Sequence, residues 1–260
     1  MPLSTEGNLR VVFLGVGSAF TKRNRQSNFL IIQEDHHVLV DCGTLGSLAL
    51  DDVGLSVSEV QCYLPTHSHA DHIGGFEEVA LVNRYLSNSS NKPKMVIPKD
   101  YQDLLWTKSL AGGLEFCEVS QGQPLELTDF FEILCPKKME LLGKKVWSYK
   151  HGPMELILMR SLHIPDSAIS IDDAQWCTGV LVNRRVWISG DTMFDKEYPN
   201  QFSRVSEVMF HDCQMFQGGV HASYHELMTL PNEIRSKIYL YHYNDNWDKP
   251  KTWVKDSDNF

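Results

Sequence analysis

Short apolar runs bounded by glycine or polar residues recur along the chain, and their length and composition predict strands at many of them. The runs RVVFLG (10–15), NFLII (28–32) and HVLVDCG (37–43) are rich in Val, Ile, Leu and Phe, and predict hairpin-linked strands feeding a central sheet. Another run, VQCYLP (60–65), leads straight into THSHADHIGG (66–75), after which Val79, Val82 and Leu86 share one face at helical spacing in a helix predicted over 76–88. The histidine-rich stretch therefore lies on a strand-to-helix loop.

The alternation continues downstream. KMVIP (94–98) reads as a strand and DYQDLLWTKSL (100–110) as a helix, followed by strands at LEFCEV (114–119), FFEILC (130–135), MELILMR (154–160), TGVLVN (178–183) and RVWISG (185–190). EVMFHDC (207–213) and KIYLYHY (237–243) read as two last strands, separated by a helix start where Ser223 and Glu226 have capping-box spacing. Strand blocks interleaved with helices predict an α/β protein of two sheets with helices packed outside. Length favours one domain over 1–260, ending in a polar tail from about 245 whose Trp247 and Trp253 either fray or dock on a partner subunit. No low-complexity segment or solenoid repeat interrupts it.

Composition narrows the function classes. At 42% hydrophobic and 22% charged residues the chain matches ordinary globular proteins. No basic, apolar leader is visible, and no apolar run approaches the roughly 20 residues that cross a bilayer, so a cytoplasmic protein without membrane attachment is expected. The six cysteines are scattered without a CxxC pair, which predicts reduced thiols and no structural zinc ribbon. A net charge of −9 disfavours long nucleic acid as a partner, because such binding needs clustered Lys and Arg to release phosphate counterions.

In the loop at 66–75, His67 and His69 lie two apart, so in extended backbone both imidazoles point to one side; Asp71 and His72 follow as the chain turns into a helix. Two ligand pairs this close suit two metal ions. Imidazole and carboxylate donors favour Zn²⁺, Mn²⁺ or Fe²⁺, and the absence of cysteine points to a catalytic site. Gly74 and Gly75 let the backbone bend and approach closely. Four ligands are too few for two catalytic metals, and His163 and Asp191, each following a predicted strand, and His242, at the end of the last strand, are the candidates to complete the set. Asp191 is the natural bridge between two ions. Taken singly, His163 and His242 read equally as core histidines, and Gly190-Asp191-Thr192 as a common turn.

The order His67-x-His69-x-Asp71-His72, then His163, Gly190-Asp191-Thr192 and His242, resembles the metallo-β-lactamase fold superfamily in its dinuclear hydrolase form. Within it the chain resembles the ribonuclease Z-like branch and the related cyclic-nucleotide phosphodiesterases, including the phage anti-Pycsar enzymes. FLGVGSAF (13–20) is similar to that branch's first-strand signature and TKRNRQSNFLI (21–31) to its segment carrying Lys, Arg and Asn. FHDC (210–213) stands where tRNA-processing members have His-Glu-Ala-Thr, and GGVHASYHELMTLP (218–231) where they have His-Ser-Thr. The resemblance implies an αββα sandwich of two mixed sheets with helices on the outer faces. It implies one ion on His67, His69 and His163, another on Asp71, His72 and His242, and Asp191 bridging. It implies two divalent ions per chain, Zn²⁺ first and Mn²⁺ as the alternative, and a homodimer.

In such a site a metal-bridging hydroxide attacks phosphorus. Asp71 orients or deprotonates the water, and His221 is the candidate acid for the leaving alkoxide. Lys22, Arg23, Asn24 and Arg25, with Ser223 and His225, are candidate substrate contacts, although a basic loop is often simply solvated. The missing Gly/Pro-rich tRNA-gripping arm and the acidic balance favour a small 3′,5′-cyclic nucleotide, opened to a nucleoside monophosphate, as substrate. In a phage-encoded chain the hydrolysis would erase a defence signal in the host cytoplasm. The alternatives are tRNA 3′-processing, hydrolysis of a lactam, lactone or thioester, and sequestration of a nucleotide without cleavage.

Overall fold

The computed structural model describes residues 1–87, 91–120, 122–245 and 255–256. The chain divides into two compact units, one of Met1–Gly15 with Asn28–Lys137 and the other of Val16–Ser27 with Lys138–Phe260. The basic loop thus groups with the C-terminal half, although it interrupts the first hairpin of the N-terminal one.

The first unit is built on a six-stranded sheet. Arg10–Gly15, Asn28–Gln33 and His36–Val40 pair antiparallel, and Cys62–Leu64, Lys94–Val96 and Glu132–Leu134 then add in parallel. Continuous burial of Leu30, Ile31, Ile32, Val38, Leu39 and Val40 shows that these strands lie in the core on both faces, which explains their unbroken apolar runs. The helix Phe76–Tyr85 buries Phe76, Val79 and Ala80, while Val82 is only half-buried.

The second unit is built on an eight-stranded sheet. The hairpins through Lys144–His151, Met154–Arg160, Thr178–Val182 and Val186–Ile188 are antiparallel, and Val208–Asp212 and Ile238–Tyr241 follow in parallel. Parallel strands leave their C-terminal ends side by side, so Ile188, Asp212 and Tyr241 each deliver the chain into a loop at the same edge. Asp191 and His242 lie on two of these loops, and Asp212 ends the third strand.

Two parts of the sequence reading need correction. LEFCEV is not a strand: Leu114 ends a helical run that begins at Lys99 and passes through a π-helical turn at Trp106–Leu110, and only Val119 and Ser120 are extended. Burial of Leu105, Leu110 and Leu114 sustains that helix despite Gly112 and Gly113. In FFEILC, Phe130 closes a short helix, Leu127–Phe130, and only Glu132–Leu134 pair. The hairpin of Lys137–Leu141 and Lys144–His151 escaped notice, because its lysines mask the alternation and its Leu142-Gly143 turn, left-handed at both residues, lacks the usual Asn-Gly signal. The expectation for Trp247 and Trp253 lies outside the described residues.

Candidate metal centre

In the first unit the strand Cys62–Leu64 delivers the chain to Thr66 and His67, and the four-residue helix Ala70–Ile73 begins after extended His69. His67, Asp71 and His72 are buried and His69 is half-buried. The His67 ring centre lies 4.7 Å from that of His69 and 4.2 Å from that of His72, and His72 Nε2 is 3.3 Å from an Asp71 oxygen. Four ligand-type groups therefore share one small volume, as their spacing predicts.

Asp41 holds this cluster in register, and the sequence reading assigned it no role. Its carboxylate accepts from the Thr66 N–H and hydroxyl, both at 2.8 Å, and contacts His72 Nδ1 at 2.7 Å. A carboxylate at Nδ1 fixes the tautomer that presents Nε2 to a metal. Burial pushes the Asp41 carboxyl up, against the opposing pull of His72 and Thr66. The segment after Asp41 is laced to the histidine loop through Cys42 N–H to His72 O (2.8 Å), Thr44 N–H to Ala70 O (3.1 Å) and Gly75 N–H to Cys42 O (2.8 Å). Gly75 is required by that approach: a Cβ there would sit 2.7 Å from the Gly43 carbonyl oxygen and 2.8 Å from Cys42 Sγ.

In the second unit His163, Asp191, Asp212 and His242 are buried and His221 is half-buried. His163 Nε2 lies 3.7 Å and His242 Nε2 3.3 Å from the same Asp191 oxygen. Asp191, Asp212, His221 and His242 each offer a ligand-type atom within 4.8 Å of the others. Burial pulls the His163 imidazole down to about 4, so it is neutral near pH 7, the form a metal requires. His163 Nδ1 is 2.9 Å from the Val220 carbonyl oxygen, the outer partner that ligating histidines normally have. Gly190, at φ +65°, makes the turn that points Asp191 inward, and a Cβ there would meet the Thr178 carbonyl oxygen at 2.4 Å. The Arg160 guanidinium binds the Ile171, Ala174 and Gln175 carbonyls and packs over Trp176, which fastens the segment following His163.

Asp212 is the second residue without an assigned role, although FHDC marked its position. One of its oxygens receives the Thr192 N–H and meets His221 Nδ1, both at 2.8 Å; the other is 3.4 Å from His242 Nδ1. Burial opposes ionisation of Asp212, but His221 and His242 outweigh it and hold the carboxyl below its usual range. Burial likewise lowers His221, yet the Asp212 charge and hydrogen bond prevail and raise it. An imidazole so placed carries a proton toward neutral pH and can deliver it.

The remaining candidates have other attachments. Ser223 is buried and caps the helix Tyr224–Leu227: its side chain accepts from the Glu226 N–H, and Glu226 reaches back to the Ser223 N–H. His225 is exposed on that helix. Lys22 and Arg23 are exposed, Asn24 and Arg25 half-buried, and the loop's amides are bound by Asp245. Imidazole and carboxylate donors, largely buried and without thiols, fit a divalent metal of the Zn²⁺ or Mn²⁺ type. Among the described residues no helix is long and apolar enough to cross a membrane.

The model of the family "Anti-Pycsar protein Apyc1" matches residues 9–259. The Apyc1 protein of Bacillus phage 010DV004 is 34% identical over 245 residues, covering 92% of this chain and 91% of that one. Among solved structures, the metallo-β-lactamase fold protein YhfI from Bacillus subtilis aligns with a TM-score of 0.65 at 14% identity, covering 92% of this chain and 88% of that one. The short form of human tRNase Z aligns with a TM-score of 0.64 at 16% identity, covering 90% and 93%. Two mixed sheets with helices and these likenesses make the fold that of the metallo-β-lactamase proteins, and over nearly its whole length the chain belongs to the anti-Pycsar Apyc1 family.

Proposed function

We propose that the protein is a dinuclear metal phosphodiesterase that opens 3′,5′-cyclic nucleotides to nucleoside monophosphates, removing a cyclic-nucleotide signal. The observation that carries the reading is the 2.8 Å contact between His221 Nδ1 and Asp212 beside the Asp191 and His242 pair, because it sets a proton donor against a metal-ligand cluster. His67, His69 and His163 would hold one ion, Asp71, His72 and His242 the other, and Asp191 both. The ions, when bound, acidify water and withdraw charge from phosphoryl oxygens.

The chain's own residues supply the rest of the chemistry. Asp71 orients the attacking water and takes part in its deprotonation. As the new P–O bond forms and one ring P–O bond breaks, the departing ribose oxygen takes a proton from His221. Asp212 keeps His221 charged beforehand, and the loss of that proton leaves a neutral ring still fixed at Nδ1. The cyclic ring becomes a phosphomonoester, with water supplying the added oxygen and hydrogens. Lys22, Arg23, Asn24 and Arg25 are proposed to contact the nucleotide, with Ser223 acting through its cap and His225 from the helix surface. A homodimer, and Zn²⁺ as the resident metal, belong to the same proposal.

The test is a product screen with Zn²⁺- or Mn²⁺-loaded protein against 3′,5′-cyclic and 2′,3′-cyclic nucleotides, a pre-tRNA, a lactam, a lactone and a thioester. Conversion of 3′,5′-cyclic nucleotides to monophosphates is expected. Trimming of pre-tRNA, or acyl hydrolysis, with cyclic nucleotides left intact overturns the reading. Tight nucleotide binding by metal-free protein with no turnover under any metal assigns sequestration instead.

A further inference from the structure

Within the second unit, the chain leaving the strand Ile238–Tyr241 is fastened to the basic loop residue by residue. The His242 N–H donates to the Val16 carbonyl at 2.7 Å, and the Ser18 N–H to the Tyr243 carbonyl at 3.1 Å. The Ser18 hydroxyl contacts Asn244 Oδ1 at 2.9 Å. Asp245 then accepts three successive main-chain donors: Lys22 at 2.7 Å and Arg23 at 3.1 Å on one oxygen, Asn24 at 3.1 Å on the other. The Arg23 guanidinium donates to the Asp245 carbonyl as well. Consecutive N–H groups converging in this way form a nest that binds anions, and here the anion is internal.

The fastening encloses an unfavourable backbone conformation. His242 has φ +65°, a region that a residue with a Cβ enters at a cost and keeps only when its surroundings dictate it. That twist aims the imidazole, with Nε2 3.3 Å from Asp191 and Nδ1 3.4 Å from Asp212. Relaxation of the turn would redirect the ring.

We propose that Asp245 is a positioning residue for His242: its carboxylate, seated on the 22–24 amides, holds the left-handed turn and so the aim of the imidazole at its metal. The inference rests on the reading of His242 as a ligand. It also means that the main-chain donors of Lys22, Arg23 and Asn24 are committed to Asp245, so that these three amides are not offered to a phosphate.

The experiment is a Co²⁺ titration followed by calorimetry and by the visible spectrum of the bound ion, on wild type, Asp245→Ala, Asp245→Asn and His242→Ala, with hydrogen exchange at the 22–24 amides. Asp245→Ala should weaken one of two Co²⁺ sites by about 10–100-fold, alter its spectrum and speed exchange of the three amides. Its turnover should return as Co²⁺ is raised. Asp245→Asn, which keeps an accepting oxygen, should lie between and stands in where the alanine variant does not fold. Wild-type Co²⁺ binding in Asp245→Ala, alongside loss of one site in His242→Ala, overturns the positioning role alone. Two intact sites in His242→Ala overturn the ligand reading and the proposal with it.

Discussion

His221 and Asp212 meet at 2.8 Å, an imidazole nitrogen against a carboxylate that is completely buried at the end of the strand Val208–Asp212. The contact joins two stretches, FHDC (210–213) and VHAS (220–223), that the sequence separates by six intervening residues, and it gives His221 both an orientation and a reason to hold its proton.

Loss of either partner should therefore be felt in the chemical step. His221→Gln and Asp212→Asn are each expected to lower kcat by about 10²–10⁴-fold, with KM changed far less, when each is assayed at saturating metal. Because the pair acts as one unit, the double variant should be little worse than the more damaged single one. Steady-state kinetics with metal analysis checks this, and independent, multiplicative losses would contradict it.

His163 and His221 should respond to pH with opposite signs in metal-free protein. Burial puts folded His163 at about 4 against an ordinary 6.5, so the unfolded chain binds the extra proton between those values and stability falls as pH drops from 6.5 toward 4. Folded His221 lies above 6.5, so its contribution is complete below 6.5 and is lost as pH rises through its raised value. Urea unfolding from pH 4 to 9, comparing wild type with His163→Gln and His221→Gln, should show the two differences sloping in opposite directions. A pH-independent difference for both variants would rule the assignment out.

Asp41→Asn should leave the fold intact but weaken metal binding by about 10–100-fold, since the amide has to satisfy Thr66 and His72 with only one acceptor oxygen. Competition with a chromogenic chelator measures it. Unchanged affinity would mean that His72 needs no outer partner.

The six thiols should divide by exposure. Cys117 and Cys135 are exposed, whereas Cys42, Cys62, Cys177 and Cys213 are buried, and burial pushes Cys42 and Cys62 up to about 12. Ellman's reagent at pH 8 should titrate two thiols quickly and the other four only after denaturation. Rapid reaction of a third thiol would contradict the burial.

The metal-type residues were legible because their signal is local. His67, His69, Asp71 and His72 fall within six residues, and their donor chemistry needs no fold to be recognised. Asp41 and Asp212 were not legible as partners: an aspartate after an apolar run is also an ordinary strand end, and each acquires its role only through a contact 31 or 9 residues away. The strand missed at Lys144–His151 failed for a related reason, since its burial does not alternate residue by residue and its turn carries no diagnostic residue.

By itself the sequence determined the two-sheet α/β class, the histidine loop between strand and helix, the capping box at Ser223 and Glu226, and the ligand types that imply a divalent metal. All of these depend on spacing and on the chemistry of single residues. The tertiary structure alone decided which nitrogen of His72 and His221 is held by a carboxylate, and that Asp245 occupies the amides of the basic loop. Tautomer, charge and aim are set by burial and by partners distant in sequence, and only the folded chain brings those partners within hydrogen-bonding distance.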